Sequence, residues 1–239
     1  MNAKKFRCLS GSTLKLIAAV CMLIDHAAFS IIYYDILLPN APIMEGTPIY
    51  KWYVLYRVMR TIGRLAFPVY CFLLIEGFVY TSNRRKYALR LFVFALISEF
   101  PFDFALFQTP VTWEYQNVYF TLLIGFLTVW GMEIVQEKRY SFYLQIGIVL
   151  TGCLAAYALH IDYDYKGIIL IVLLYYFRFH PAIRTLAGCI SLLWEPAACL
   201  AFIPINMYNG KRGLPIKYVF YVFYPLHLLI LGVISRLII

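Results

Sequence analysis

The chain has 239 residues, of which 63% are hydrophobic and 14% charged, with a mean hydropathy of +0.75 and a formal net charge of +9. No ordinary soluble domain carries that composition. The basic residues fall in short connections between apolar runs rather than along one exposed face, so the charge is a topology signal and not a nucleic-acid-binding surface.

The apolar runs predict an all-α, polytopic integral membrane bundle that forms one domain over residues 1–239, with about eight crossings at about 20 helical residues each. They cover residues 13–34, 58–80, 89–107, 118–135, 142–160, 167–179, 182–205 and 218–238, the sixth being short for a crossing. No internal repeat is visible, and the connections are too short to hold a second domain. If each run crosses once, Lys4, Lys5 and Arg7, then Arg84, Arg85, Lys86 and Arg90, then Lys138 and Arg139, then Arg178 and Arg184 share the cytoplasmic side. Asp35, Glu45, Asp103, Glu114, Asp162 and Asp164 fall on the other. Both termini are then cytoplasmic and the Pro- and Gly-bearing loop 35–51 lies outside. The protein is expected in the cell membrane, in contact with the lipid bilayer.

The first run follows a basic start, as a signal peptide would. It holds Asp25 and His26 in its interior and has no small-residue cleavage site, so it is read as a retained helix. Ionisable groups at such depth are costly and usually functional. Lys15 and His26 are eleven residues apart; at 100° per residue they return to within roughly 20° of one face, roughly 16 Å apart along the axis. One face therefore carries an ammonium near a membrane surface and an imidazole deep inside. That suits a long, anionic, reactive ligand entering from the lysine end. It equally describes a lysine that snorkels to the head groups and a histidine that satisfies a buried hydrogen bond.

The second run presents Arg57, Arg60 and Arg64 on one helical face, and Gly63 and Pro68 mark a thin, kinked stretch around Arg64. Guanidiniums at this depth need a carboxylate or a bound anion. Asp25 points about 100° away from His26 on an ideal helix and suits a cation of this run. Glu99 and Asp103, one turn apart on the third run, are alternative counter-ions for Arg60 and Arg64. Glu76 suits an ion pair with Arg84 or Lys86. Gln116 and Asn117, at the end of the preceding loop, could cap the fourth run. His160 and His180 stand at run ends, where a solvated imidazole is the plain reading.

The seventh run contains Glu195-Pro196, an ionisable group beside a helix breaker, and is either one kinked crossing or a short re-entrant pair. The choice sets the side of the next loop, which holds Tyr208, Asn209, Gly210, Lys211, Arg212 and Gly213. The charge rule places that loop inside, whereas the length of the run favours a single crossing and hence an outside loop, which is the placement expected. Lys211 and Arg212 between glycines could wrap a phosphate with cations and backbone donors. The last run opens with Tyr218, Tyr221 and Tyr224 and is interrupted by Pro225 beside His227. Cys8, Cys21, Cys71, Cys153, Cys189 and Cys199 are scattered, mostly in apolar runs, and read as packing residues, with no metal-ligand spacing.

Five separate stretches carry a family resemblance, and they occur in one order. They are Leu14-Lys15-Leu16-Ile17 through Asp25-His26; Ile62-Gly63-Arg64-Leu65-Ala66-Phe67-Pro68 continuing to Glu76-Gly77-Phe78; Ile97-Ser98-Glu99-Phe100-Pro101-Phe102; Tyr208-Asn209-Gly210-Lys211-Arg212-Gly213; and Phe223-Tyr224-Pro225-Leu226-His227. Together they resemble the TraX family over nearly the whole chain. That family is named for a conjugation-system protein that N-acetylates pilin and is grouped with broader multi-span acyltransferases. In those relatives a basic residue, ten intervening residues and a histidine mark the first helix, a pattern that Lys15 and His26 match.

The resemblance implies an acyl-CoA donor, acetyl-CoA, with no metal, and a peptide, glycan or lipid acceptor handled at or beyond the membrane. Acetyl transfer needs a base for the acceptor's proton and a cationic or hydrogen-bonding group for the developing oxyanion. His26, Asp25 and Arg64 are the candidate catalytic residues, with Lys15 on the CoA diphosphate or pantetheine. Arg60, Glu99, Tyr208, Asn209, Lys211, Arg212, Tyr224 and His227 are candidates for binding acceptor or donor. Direct transfer and an acyl-histidine relay both stay open. Two other classes compete. A transporter would explain buried charges and broken helices, though no inverted repeat is seen; a structural subunit of a conjugation or secretion machine would explain the spans.

Overall fold

A computed structural model describes residues 7–215 and 217–238; Lys4 and Lys5 of the expected N-terminal basic cluster lie outside the described residues. The described chain is helical, with two isolated β-bridges and no strand among the described residues. Helix α1 runs Gly11–Ala27 and passes without a break into a wider π-helical stretch, Ala28–Leu37, and a last turn, Leu38–Asn40. Ser10 starts it, its Oγ accepting the Thr13 amide at 3.2 Å. Next come α2 (Tyr50–Gly63), α3 (Ala66–Tyr80), α4 (Arg84–Leu106), α5 (Val118–Val135), α6 (Ser141–Ala158) and α7 (Asp164–Tyr176). After α8 (Pro181–Ser191) follow a tight helical turn, Pro196–Ala201, a short α9 (Phe202–Asn206), and α10 (Lys217–Ile238).

Among the described residues, five helical stretches are long and apolar enough to cross a membrane: Gly11–Asn40, Tyr50–Tyr80, Val118–Val135, Ser141–Ala158 and Tyr218–Leu237. The protein is thus an all-helical membrane protein, with fewer self-sufficient crossings than the eight runs suggested. The reasons are local. The third run lies in α4, where Arg90, Glu99 and Asp103 interrupt the apolar stretch. The sixth folds as α7, whose 13 residues reach only roughly 20 Å. The seventh is not one crossing: its helix stops at Ser191 and helical structure resumes at Pro196, a residue that lacks the amide a continuing helix needs and disfavours helix in Glu195 before it. At Arg64 and Leu65 the regular helix is interrupted for two residues between α2 and α3, where the kink is expected, within the one stretch Tyr50–Tyr80.

The chain forms two compact units. The first comprises Met1–Val69, Ser98–Thr112 and Ala197–Ile239, and the second comprises Tyr70–Ile97 and Trp113–Pro196.

In the first unit, α10 runs parallel to the first helix. Their contacts advance together: Lys15 Nζ lies 5.9 Å from the Phe220 ring centre, His26 Nδ1 is 2.7 Å from His227 Nε2, and Ser235 Oγ donates to Asp35 Oδ1 at 2.8 Å. Parallel helices start at the same end, so the C-terminal end of α10 lies opposite the start of α1. This corrects the expectation that both termini share the cytoplasmic side. The far end of the pair is held by Arg236, which stacks 3.6 Å over Phe104 and donates to the carbonyls of Phe104 and Gln108.

In the second unit, α5, α6 and α7 pack on one another around Phe126, Gly152 and Ile171. Asn117 caps α5 as its position suggested, accepting from the Tyr119 amide at 3.0 Å, and its own amide donates to Ala95 O at 2.8 Å. Arg84 forms its ion pair with Glu133 rather than with Glu76 and lies over the Phe78 ring. Phe142, Tyr143, Ile146, Leu150 and Leu154 leave one face of α6 uncovered, as a lipid-facing helix requires.

Candidate functional site

The site lies in the first unit, where α1, α2 and α10 bring together residues from three distant stretches of sequence. His26 is half-buried one residue before the end of the regular α1 geometry, and His227 is buried on α10, one turn past Phe223. Their ring planes are nearly parallel, 3° off, with centres 5.0 Å apart, so the two rings meet edge to edge through their nitrogens. The hydrogen-bond chain assigns the protons. His227 Nδ1 lies 2.7 Å from Phe223 O, and a carbonyl only accepts, so this nitrogen is the donor. In the neutral ring His227 Nε2 is then an acceptor, and His26 Nδ1 must donate to it across the 2.7 Å contact. That leaves His26 Nε2 carrying the free lone pair, with no hydrogen bond to it among the described residues. The pair is thus a fixed-tautomer imidazole aimed away from its support.

Aromatic rings enclose it. Phe223 stacks on His227 at 4.7 Å, and buried Tyr224 meets both imidazoles edge-on, at 6.0 Å from His26 and 5.7 Å from His227.

Asp25 turns to the neighbouring helix. Arg60 Nη1 donates to Asp25 Oδ2 at 2.6 Å, with the two side chains 22% and 15% exposed, and the guanidinium lies 5.1 Å from the Phe29 ring centre. The pair needs α1 and α2 to approach closely: any Cβ at position 63 would run into the Asp25 carboxylate, which is why glycine stands there. Of the three carboxylates considered for Arg60, the structure pairs it with Asp25; Asp103 Oδ2 instead accepts the Thr112 amide at 2.8 Å. Arg64 occupies the C-cap of α2, its amide donating to Arg60 O at 3.2 Å, and half-buried Glu99 sits on α4.

The Tyr208–Gly213 loop joins the start of α1. Leu9 and Tyr208 form a parallel bridge, the Leu9 amide donating to Met207 O at 3.0 Å and the Asn209 amide to Leu9 O at 2.9 Å. The amides of Gly11 and Ser12 donate to Lys211 O and Arg212 O at 2.8 and 3.0 Å, and Ser12 Oγ accepts from the Leu214 amide at 3.1 Å. Gly213, at φ +74°, keeps this seam closed, because a side chain there would meet the hydroxyls of Ser10 and Ser12. The loop therefore lies on the same side as the N-terminal end of α1, which overturns the placement of these two segments on opposite sides. Its Lys211 and Arg212 side chains are exposed, one helical turn from half-buried Lys15, so three cations share one end of the unit. The Lys211 amide is taken by Asn209 Oδ1 at 2.8 Å, so that backbone donor is not left for a phosphate.

The sequence left three contributors unnamed: the Phe223 carbonyl that sets the histidine tautomer, Phe29 under Arg60, and the Ser10–Ser12 segment that seats the loop. A glycine at each face of the seam, Gly11 and Gly213, was the available sign of the last.

No solved structure matches the chain. A probable fimbrial assembly protein, FimC of serogroup H1 from Dichelobacter nodosus, is 27% identical over 252 residues, covering 93% of this chain and 94% of that one. The family described as TraX protein matches residues 10–235, nearly every residue of the three helices that build the histidine pair and its ion pair, and the chain belongs to the TraX family.

Proposed function

We propose that this protein is an integral membrane acyltransferase that moves an acetyl group from acetyl-CoA to an amine or hydroxyl of an extracytoplasmic or membrane-embedded acceptor, with a pilin-like peptide as the family precedent. The observation that carries the reading is the His227–His26 chain, which leaves a basic imidazole nitrogen in the interior of a predominantly apolar helix. A residue whose only task was to fill a core would not need its tautomer set by a second buried imidazole.

In this reading His26 Nε2 takes the proton of the acceptor's amine or hydroxyl as it forms its bond to the thioester carbonyl carbon. The C–S bond then breaks, and the thiolate leaves with the proton as free thiol. The Asp25–Arg60 pair supplies fixed charge beside the reacting group. Lys15, Lys211 and Arg212 fit the anionic nucleotide of the donor, since they gather at one end of the same unit and Lys15 shares a helix face with His26.

The test is acetyl transfer and thiol release from acetyl-CoA by the purified protein in proteoliposomes. Transfer is expected to fall by about a hundredfold or more in His26→Ala, with acetyl-CoA affinity retained, whereas Lys15→Ala mainly weakens that affinity. Wild-type turnover in His26→Ala would end the reading. A second reading, an assembly factor without chemistry, is favoured by the similarity to a fimbrial assembly protein. It expects fibre assembly to survive His26→Ala intact.

A further inference from the structure

A cavity of about 660 Å³ opens in the second unit among α5, α6 and α7. Its lining is graded along the helix axes. Gln136, just past the end of α5, Ser141 and Gln145 on the first turns of α6, and Arg178, just past α7, form a polar mouth. Farther along α6, Ile146, Val149 and Leu150 form an apolar throat that is open on the uncovered, lipid-facing side of the helix and reaches nine residues beyond Ser141, or roughly 14 Å of helix. The volume is that of a small-molecule site, and the gradient is that of an amphiphile.

Arg178 supplies the recognition. Its guanidinium is held rigidly, 4.2 Å from the Tyr175 ring centre and 4.4 Å from that of Phe179, with Nη1 donating to Tyr175 O at 2.8 Å. It makes no ion pair among the described residues, whereas Arg60 and Arg84 each have a carboxylate. No acidic residue among the described residues lines the cavity. The turn between α5 and α6 carries Lys138 and Arg139 against Glu137, which adds to the positive charge at this end of the unit. These residues belong to the basic connections that the charge rule assigns to the cytoplasmic side, where the leaflet carries anionic lipid.

We propose that this cavity is a binding site for an anionic phospholipid of the cytoplasmic leaflet, its phosphate on Arg178 and one acyl chain along Ile146, Val149 and Leu150. The site is independent of the histidine pair and does not rest on the acyltransferase reading.

The full-length protein, purified in detergent and stripped of lipid, is titrated with dioleoyl-phosphatidylglycerol or dioleoyl-phosphatidylcholine, and occupancy is read by native mass spectrometry. Phosphatidylglycerol is expected to be retained in preference. Arg178→Gln should lower its occupancy about fivefold, the worth of one basic residue at an anionic surface, and remove the preference. Val149→Trp, which fills the throat and leaves Arg178 in place, should lower the occupancy of both lipids. Equal retention of the two lipids by the wild type overturns the proposal, as does an unchanged preference in Arg178→Gln. Displacement of the lipid by soluble glycerol phosphate or by acetyl-CoA would overturn it too, since either would make the cavity a site for a water-soluble anion.

Discussion

Replacing His227 by Ala tests the histidine pair most directly. The ring donates to Phe223 O and accepts from His26 Nδ1, so its removal leaves a half-buried N–H without an acceptor. An orphaned donor of that kind costs about 1–3 kcal/mol. If His26 escapes the cost by rotating or by moving its proton to Nε2, the reactive arrangement becomes the minor one by about five- to 150-fold. Acetyl transfer in proteoliposomes should show that loss in kcat, with KM for acetyl-CoA and for acceptor held within about twofold. His227→Gln, whose amide oxygen can accept from His26, should recover part of the rate, which a merely space-filling role would not produce. A rise in KM at unchanged kcat would refute the argument and return His227 to the ligand-binding role assigned from sequence.

Two further outcomes are expected. Asp25→Asn should destabilise the protein by about 3–5 kcal/mol, because it strands the Arg60 guanidinium, and Arg60→Gln on that background should restore part of the loss; thermal unfolding in detergent measures the cycle, and additivity of the two changes would mean that the 2.6 Å pair carries no coupling. A variant whose only cysteine is Cys8 and one whose only cysteine is Lys211→Cys should react with an impermeant thiol reagent from the same face of the membrane, while a tag after Ile239 is reached from the other; labelling of the two cysteines from opposite faces would contradict the seam between residues 8–12 and the loop.

What could be read along the chain was whatever depends on neighbours in sequence. The run 118–135 coincides with α5 because Asn117 caps it and nothing charged interrupts it before Glu133. The interruption at Arg64 was visible in Gly63 and Pro68, and Asp25 was assigned to a cation of the second run because its angle from His26 follows from helix geometry alone. The His26–His227 contact was not legible, since it joins residues 201 positions apart and no periodicity encodes it. The loop's side was misjudged for a related reason. The length of residues 182–205 suggested a continuous crossing, while the deciding features were a proline that stops the helix and a backbone seam to residues 8–12. The parallel course of α1 and α10 follows from the same seam, and the cytoplasmic position of both termini could not survive it.

The wide separation along the chain also orders events during biosynthesis. Arg60 emerges 35 residues after Asp25, soon enough for the first two crossings to enter the bilayer as a hairpin with their charges already matched. His26 must wait much longer, since its own partner lies 201 residues downstream. At roughly 5–20 residues per second that interval is roughly ten to forty seconds. Through it the nascent protein holds an unsupported imidazole, and the cationic loop that seats against Ser10 and Ser12 is likewise made near the end of translation. In the reading proposed above, competence therefore arrives with the last helix, and a chain cut short before Phe223 lacks the second histidine of the pair.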